Sequence, residues 1–271
     1  MKLLIKNGLV VDSEKLTSEK LDILIENEKI SLIGSSIKTA DAEIIDANEG
    51  YVCPGLVDMH VHLREPGRED EETIYSGTRA AALGGVTSIA CMANTEPPID
   101  DRAGVEFVKA KAKRDGVVNV YPIAAITKGL KGEEIAELGD LQRAGAVAVS
   151  DDGNCIMNAE VMRRAMEYSL PFNLPIIEHC EDKNLSGEGV MNEGWHSTEF
   201  GLRGIPSAAE EVIVARDITL AEMTGAKLHI AHVSTRKAVD IIRQAKSRGV
   251  RVTCEVTPLS IRSFANGAAL D

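Results

Sequence analysis

From Pro54 onward the sequence repeats one pattern, in which an apolar strand is followed by a short polar loop and an amphipathic helix. This alternation is typical of parallel βαβ units. Several of the helical segments end in glycine, the residue that C-caps favour. The pattern therefore predicts a parallel sheet with helices packed on it. The predicted strands are residues 56–63, 87–94, 119–127, 146–152, 175–180, 227–234 and 250–257.

Repeated βα units form either an open, doubly wound sheet or an eight-stranded barrel. The sequence lacks the glycine-rich phosphate loops of the open fold, and its polar residues collect at the C-terminal ends of several strands. Active sites of barrels lie at that end. We therefore predict a (β/α)8 TIM-type barrel. Because the sequence offers seven strands of this kind before its last residue, Asp271, we expect the barrel to be incomplete.

The first fifty residues follow a different pattern. Short strands alternate with turn residues such as Asn7-Gly8 and Gly34, which predicts a small antiparallel sheet. We therefore expect residues 1–52 to form the N-terminal part of a small β-sandwich domain. Residues 53–258 are predicted to form the barrel, and residues 259–271 a tail.

Charge and hydropathy exclude several kinds of function. The 271-residue chain has a formal charge of −12 with scattered lysines and arginines, which opposes binding to nucleic acid. No apolar run reaches the roughly 18 residues of a membrane span. The five cysteines form no CxxC pair and lie mostly in apolar runs, so we interpret them as reduced, structural thiols. We expect a cytoplasmic protein that acts on a small molecule.

The first predicted barrel strand carries two histidines, His60 and His62. Side chains alternate along a strand, so the two imidazoles lie on one face with Cα atoms roughly 6.6 Å apart. Such a pair suits a zinc site, and the alternative is a hydrogen-bonded pair of barrel histidines. Asp58 shares this face one step deeper, where we expect a hydrogen-bonding role rather than metal ligation.

Other strand ends add candidates: Asp151 and Asp152, then His179, then His229 and His232. The last two are three residues apart and are predicted to face opposite sides of their strand. His232 is nearer the C-terminal end, so we assign it to the site and place His229 on the outer face. Histidines from three strands and a carboxylate from a fourth favour a metal centre over simple packing.

Two further features have structural interpretations. Ser207 followed by Glu210 predicts a capping box at the start of a helix. His196 falls in a loop away from any strand, and we interpret it as a surface or lid residue.

Seven motifs occur in order along the chain: PGLVDMHVHLREPG, MANTEPPID, ITKG, VAVSDDG, IIEHCED, HIAHVST and TCEVTP. With them the sequence resembles the long bacterial class of dihydroorotases, members of the amidohydrolase superfamily, from residue 1 to Pro258. Hydantoinases and dihydropyrimidinases instead carry a carboxylated lysine at the fourth strand, where this chain has Asp151 and Asp152. Arg64, which follows the histidine pair, also fits dihydroorotases better.

The resemblance implies a metal centre. His60 and His62 would bind one zinc ion, His179 and His232 a second, and Asp152 would bridge them. Whether one or two ions bind stays open.

The resemblance also implies that the substrate contacts His62, Arg64 and Asn94, with Arg64 and Asn94 holding its carboxylate. A guanidinium matches a carboxylate through two parallel hydrogen bonds. The alternatives are a rim salt bridge for Arg64 and a turn position for Asn94.

The reaction that the resemblance implies is the reversible interconversion of dihydroorotate and N-carbamoyl-aspartate in pyrimidine synthesis. Zinc would activate water and polarise the carbonyl. The acid–base aspartate of the family lies at the eighth strand, in a motif that this sequence lacks, so we expect it beyond residue 271 and assign no catalytic residue within the chain. The tail after Pro258 departs from the family, which suggests a frameshift or a truncated gene.

Other functions stay open from the sequence alone. The chain could be a non-catalytic dihydroorotase-like scaffold for aspartate carbamoyltransferase, or another cyclic amidohydrolase such as a dihydropyrimidinase or allantoinase. A homo-oligomer is also open. Retention of all the metal histidines favours an enzyme over a scaffold, but we expect the 271-residue chain to have doubtful activity and to aggregate or depend on a partner.

Overall fold

The structure is a computed structural model and describes residues 2–258. Its contacts divide the chain into two compact units, one up to Leu56 and one from Val57 onward. The predicted tail, residues 259–271, lies outside the described residues.

The first unit contains one five-stranded sheet. Its strands are β1 (Lys2–Asp12), β2 (Thr17–Glu26), β3 (Lys29–Gly34), β4 (Glu43–Asp46) and β5 (Tyr51–Val52). The β1–β2 and β2–β3 pairs are antiparallel, whereas β4 and β5 both pair parallel with β1. The prediction of an antiparallel sheet is therefore wrong in part, because residues 35–42 carry the chain back before β4 instead of forming a hairpin.

The second unit is built on a parallel sheet of seven strands over the residues described. Neighbours in the sheet follow chain order, and a two-stranded parallel pair, β11–β12, lies outside it. The strands are β6 (Leu56–Val61), β7 (Val86–Cys91), β8 (Asn119–Ala124), β9 (Ala148–Ser150), β10 (Ile176–Glu178), β11 (Met191–Asn192), β12 (Gly204–Ile205), β13 (Leu228–Ile230) and β14 (Val252–Cys254).

All seven predicted barrel strands are present, but several end earlier than predicted. The strand predicted over residues 227–234 ends at Ile230, and the strand predicted over residues 146–152 ends at Ser150. The polar residues at these ends therefore lie in the loops that follow the strands.

Helices connect the strands. They are α1 (Ile74–Leu83), α2 (Arg102–Asp115), α3 (Leu138–Ala144), α4 (Ala159–Ser169), α5 (Lys183–Ser186), α6 (Trp195–Glu199), α7 (Ala208–Thr224) and α8 (Arg236–Ser247). Several begin at a residue whose side chain accepts a hydrogen bond from a backbone amide of the first turn, as at Thr73, Asp101 and Thr235. Among residues 2–258, no helix is both long enough and apolar enough to span a membrane.

The predicted capping box at α7 does not form. Ser207 makes no side-chain capping hydrogen bond, and Glu210 is engaged elsewhere. Its carboxylate accepts hydrogen bonds from the backbone amides and hydroxyls of Ser234 and Thr235, at the start of α8. Glu210 thus ties the loop after β13 to α7.

Apolar clusters pack on both faces of the sheet. The larger apolar cluster, which includes Met162 and Ile176, combines helical and strand residues and lies between the helices and the sheet. A smaller cluster includes Ile123 and Ile177 and lies on the opposite face of the strands. Because Ile176 and Ile177 are consecutive and belong to different clusters, the alternation of side chains along β10 separates the two faces.

Candidate metal centre

Asp152 is surrounded by histidine nitrogens. One of its carboxylate oxygens lies 3.4 Å from Nε2 of His60 and 3.7 Å from Nε2 of His62. The other lies 3.6 Å from Nδ1 of His179 and 3.4 Å from Nε2 of His232. Asp152 is only 5% exposed. Each carboxylate oxygen therefore faces one pair of histidines.

The C-terminal ends of the strands deliver these side chains. His60 lies on β6, His62 directly follows it, and His179 directly follows β10. The rings of His60 and His62 have centroids 5.1 Å apart, so both lie on one face of the chain. Asp152 follows β9, where Gly153 adopts a φ of +85° that lets the chain turn away immediately.

His229 does not lie on the outer face, contrary to the sequence prediction. It is buried and lines the same cavity as Ile123 and Ile177, which belong to the smaller apolar cluster on the face of the strands opposite the helices. The parity argument fails because β13 ends at Ile230 and His232 has a φ of +33°. This left-handed residue reverses the alternation, so His229 and His232 both face inward.

The charges of the centre favour a cation. Burial raises the pKa of Asp152, but hydrogen bonds with His179, His232 and His60 lower it by a larger amount, so the carboxylate stays ionised. Burial lowers the pKa of His60, but Asp152 and Glu255 raise it to about 9. Burial dominates at His62 and lowers its pKa. Without a metal, His60 holds a proton at neutral pH that a bound cation would replace.

Each of three histidines also has a partner on the nitrogen that points away from Asp152. Nδ1 of His60 lies 2.5 Å from Glu255, and Nε2 of His179 lies 3.0 Å from Glu181. Nδ1 of His62 lies 2.9 Å from Oδ1 of Asn94. Partners of this kind fix the orientation of ligating imidazoles.

The sequence analysis did not identify Glu255 or Glu181 as part of the site. A signal was available, because Glu255 directly follows β14 and Glu181 lies two residues after His179. Both therefore occupy the strand ends where the other site residues collect.

Asp151 has a different role from its neighbour Asp152. Its buried carboxylate accepts hydrogen bonds from the amides of Ile126 and Thr127, at 2.8 and 3.0 Å, and from the Thr127 hydroxyl. Burial raises its pKa despite these bonds. Asp151 therefore ties the end of β9 to the loop after β8.

The predicted substrate residues lie beside the centre and are engaged within the protein. Nε of Arg64 lies 3.3 Å from Glu71, and the Arg64 side chain is one-third exposed. Asn94 contacts His62 through its oxygen, and its amide nitrogen lies 3.4 Å from the carbonyl of Asp152. Their contact with substrate stays a prediction. Asp58 accepts a hydrogen bond from the backbone amide of His60, and His196 is exposed on α6.

The residues present fit a metal ion. Ligand atoms of His60, Asp152 and His232 all lie within 4.8 Å of one another. Imidazole nitrogens combined with a carboxylate oxygen form a donor set that divalent transition metals prefer. A cleft of about 410 Å³ opens beside His179 and His232, which is room for a small organic molecule.

Comparison with known proteins decides the family. A family model described as dihydro-orotase-like matches residues 50–238. The chain belongs to the dihydroorotase-like family. It is 60% identical to a dihydroorotase of Pelotomaculum thermopropionicum over 258 residues, which cover 95% of this chain and 60% of that protein. A dihydroorotase of Syntrophotalea carbinolica is 57% identical, with 95% and 61% covered.

This member of the dihydroorotase-like family thus spans about 60% of the length of the curated relatives that it matches. Solved structures show the same fold. The L-hydantoinase of Arthrobacter aurescens has a TM-score of 0.79 at 23% identity, covering 94% of this chain and 58% of that one. A dihydropyrimidinase of Brevibacillus agri has a TM-score of 0.77 at 27% identity, with 96% and 58% covered. The predicted incomplete (β/α) barrel is therefore confirmed.

Proposed function

We propose that this protein carries the metal centre and substrate face of a zinc-dependent dihydroorotase, which interconverts dihydroorotate and N-carbamoyl-aspartate in pyrimidine synthesis. Support comes above all from the four histidine nitrogens that lie 3.4–3.7 Å from the carboxylate of Asp152. Membership of the dihydroorotase-like family gives this centre its chemical context.

His60, His62, His179, His232 and Asp152 would hold one or two zinc ions. When bound, zinc supplies a Lewis acid that activates water and polarises an amide carbonyl. The protein supplies the charge balance, since the ionised Asp152 offsets bound cations. Asn94 and Glu181 orient the imidazoles of His62 and His179 through their outer nitrogens.

Arg64 and Asn94 would bind the carboxylate of the substrate, with His62 contacting the ring. Arg64 already binds a carboxylate in this structure, that of Glu71. Both groups are partly exposed, so a substrate carboxylate can exchange for Glu71 at little cost. We therefore propose Arg64 as the residue that selects ring substrates bearing a carboxylate.

We propose none of residues 2–258 as the group that protonates the leaving ring nitrogen. Asp152 is committed to four histidines, and the family resemblance places the acid–base aspartate on a strand later than β14. We propose further that the metal is zinc, that the protein acts in the cytoplasm, and that it assembles with itself or with aspartate carbamoyltransferase.

One experiment separates the candidate functions. The 271-residue chain is loaded with zinc, its metal content is measured, and the formation of dihydroorotate from N-carbamoyl-aspartate is followed beside the hydrolysis of dihydrouracil, a ring without the carboxylate. Bound zinc, with formation of dihydroorotate from N-carbamoyl-aspartate and no hydrolysis of dihydrouracil, supports dihydroorotase chemistry. Equal turnover of dihydrouracil indicates another cyclic amidohydrolase, and bound zinc with no turnover fits both the scaffold and a dihydroorotase without its acid–base aspartate. A chain that binds no zinc contradicts the proposed centre.

Arg64→Met tests the assignment of the substrate carboxylate. We expect KM for N-carbamoyl-aspartate to rise strongly, because the carboxylate loses its two-pronged partner, while zinc content stays at the wild-type level. Arg68→Met is the matched control, since Arg68 also pairs with Glu71 but is more exposed. An unchanged KM in Arg64→Met would remove Arg64 from the site.

A further inference from the structure

Glu255 lies between two histidines just beyond the end of β14. One carboxylate oxygen is 2.5 Å from Nδ1 of His60. The other is 3.3 Å from Nε2 of His229, at an angle outside hydrogen-bond geometry. Glu255 has so far been described only as a contact of His60, and His229 only by its position in the sheet.

The position of the Glu255 carboxylate, 2.5 Å from Nδ1 of His60, determines which nitrogen of His60 carries hydrogen. An ionised carboxylate can only accept a hydrogen bond. Nδ1 of His60 therefore donates, and in the neutral ring Nε2 keeps its lone pair. Nε2 is the nitrogen that lies 3.4 Å from Asp152.

His229 is held in turn by the neighbouring strand. Its Nδ1 lies 2.7 Å from the hydroxyl of Thr253, and the two residues are directly paired between β13 and β14. His229 is 6% exposed, so its ring cannot swing into solvent. A line of polar contacts thus runs from Thr253 through His229 and Glu255 to His60.

We propose that Glu255 is a positioning residue of the metal centre. Its carboxylate fixes the Nδ1–H form of His60 and turns Nε2 toward Asp152, while His229 braces the carboxylate from its other side. The inference rests on the metal-binding part of the proposed function and adds to it a contribution from the seventh strand of the sheet.

The first test uses the metal-free protein, so that it does not depend on metal binding. Imidazole ¹⁵N chemical shifts of histidine-labelled protein distinguish the two neutral tautomers and the protonated ring. At alkaline pH, where the ring of His60 is neutral, wild-type protein is expected to keep the hydrogen of His60 on Nδ1. Glu255→Ala is expected to shift the His60 signals toward a mixture of tautomers, and His60→Asn assigns the signals.

The second test measures affinity for Zn²⁺ by competition with a chromophoric chelator. Loss of a partner that orients a ligating histidine typically lowers metal affinity 10- to 100-fold, and we expect that loss in Glu255→Ala. Glu255→Gln keeps an acceptor but not the charge, so its affinity should lie between those of wild type and Glu255→Ala. Thr253→Val removes only the hydroxyl that contacts His229, so it should lower the affinity for Zn²⁺ less than Glu255→Ala does. Glu222→Ala, on an exposed ion pair with Arg248, is the control.

The outcomes separate this inference from the proposed function. If wild-type protein binds no Zn²⁺, the proposed centre fails, and the tautomer measurement alone decides the role of Glu255. If Zn²⁺ binds and both Glu255 variants keep wild-type affinity and wild-type His60 shifts, the positioning role is overturned. If Glu255→Ala does not fold by circular dichroism, Glu255→Gln decides in the same way.

Discussion

Asp217 and Asp152 are both buried carboxylates of the barrel unit, but the pKa of Asp217 is raised whereas that of Asp152 is lowered. The carboxylate of Asp217 is fully buried and pairs with Arg216, whose Nε lies 2.8 Å away. Burial raises the pKa of Asp217 to about 6, because the attraction of Arg216 does not offset the loss of solvation. A second buried carboxylate, Glu178, also faces Arg216, at 3.9 Å. The guanidinium of Arg216 therefore lies near two buried carboxylates.

We expect Asp217 to make stability depend on pH. Its folded pKa lies above the unfolded value of 3.8, so its contribution is fully present below about pH 4 and is lost as pH rises through about 6, a total of roughly 3 kcal/mol. Asp217→Asn removes this dependence. The free energy of unfolding of the variant minus that of wild type, from urea titrations, should increase by roughly 1 kcal/mol between about pH 5 and about pH 7. A constant difference would contradict the raised pKa.

Two adjacent carboxylates should respond differently to the same substitution. Asp152→Asn removes the charge at the centre, and we expect Zn²⁺ affinity to fall by about 100-fold or more. Asp151→Asn affects a carboxylate that bonds to the loop after β8, so it should lower stability and leave the affinity near wild type. Chelator competition and thermal unfolding measure the two effects. Equal losses of affinity would contradict the separation of roles.

The sequence predicted individual residues well where a strand pattern fixed the direction of the side chain. His60 and His62 lie on one face because they flank a single residue at the end of β6. Prediction failed at His229, since the left-handed φ of His232 cannot be read from alternation. Glu255 was missed because its role depends on His60, 195 positions earlier in the chain, and no local pattern encodes such a partner.

At the level of helices and strands, the connection between α7 and α8 is the feature that supports the centre. Glu210 on α7 binds both Ser234 and Thr235, and Ser234 lies two residues after His232. The sequence predicted both helices but assigned Glu210 to a cap within its own helix. Local spacing allowed that assignment, whereas tertiary contacts provided more donors for the carboxylate.

We expect Glu210→Ala to destabilise the protein by about 1–3 kcal/mol, because backbone amides and hydroxyls at the start of α8 lose a charged acceptor. Hydrogen exchange should increase at residues 234–238 in particular. Glu222→Ala, also on α7 and paired with an exposed arginine, should cost less than about 1 kcal/mol. Similar losses in both variants would show that Glu210 acts only as a surface charge.

Over the barrel unit, the feature with the largest consequence for behaviour in solution is the apolar surface of β6. Val57 is 65% exposed and Met59 is 49% exposed. Both line an apolar cavity of about 290 Å³ together with Ile123 and Ile177. β6 is also an edge strand of the sheet over residues 2–258. Exposed apolar edges promote association between chains.

We therefore expect the 271-residue chain to self-associate at micromolar concentration. The double variant Val57→Thr and Met59→Gln should shift sedimentation velocity profiles toward monomer, because it removes apolar area from the edge. Leu83→Gln is the control, since Leu83 is 91% exposed on α1 and is not part of β6. A wild-type chain that sediments as a monomer and unfolds in one sharp transition would contradict the expectation.

The hydrogen bond between His60 and Glu255 joins the first and the last strands of the sheet order. Contacts between residues so distant in sequence form late, because much of the intervening chain must be arranged first. High-affinity uptake of metal should therefore report the final step of folding. A nascent chain on the ribosome would gain full affinity only after its seventh parallel strand has left the exit tunnel.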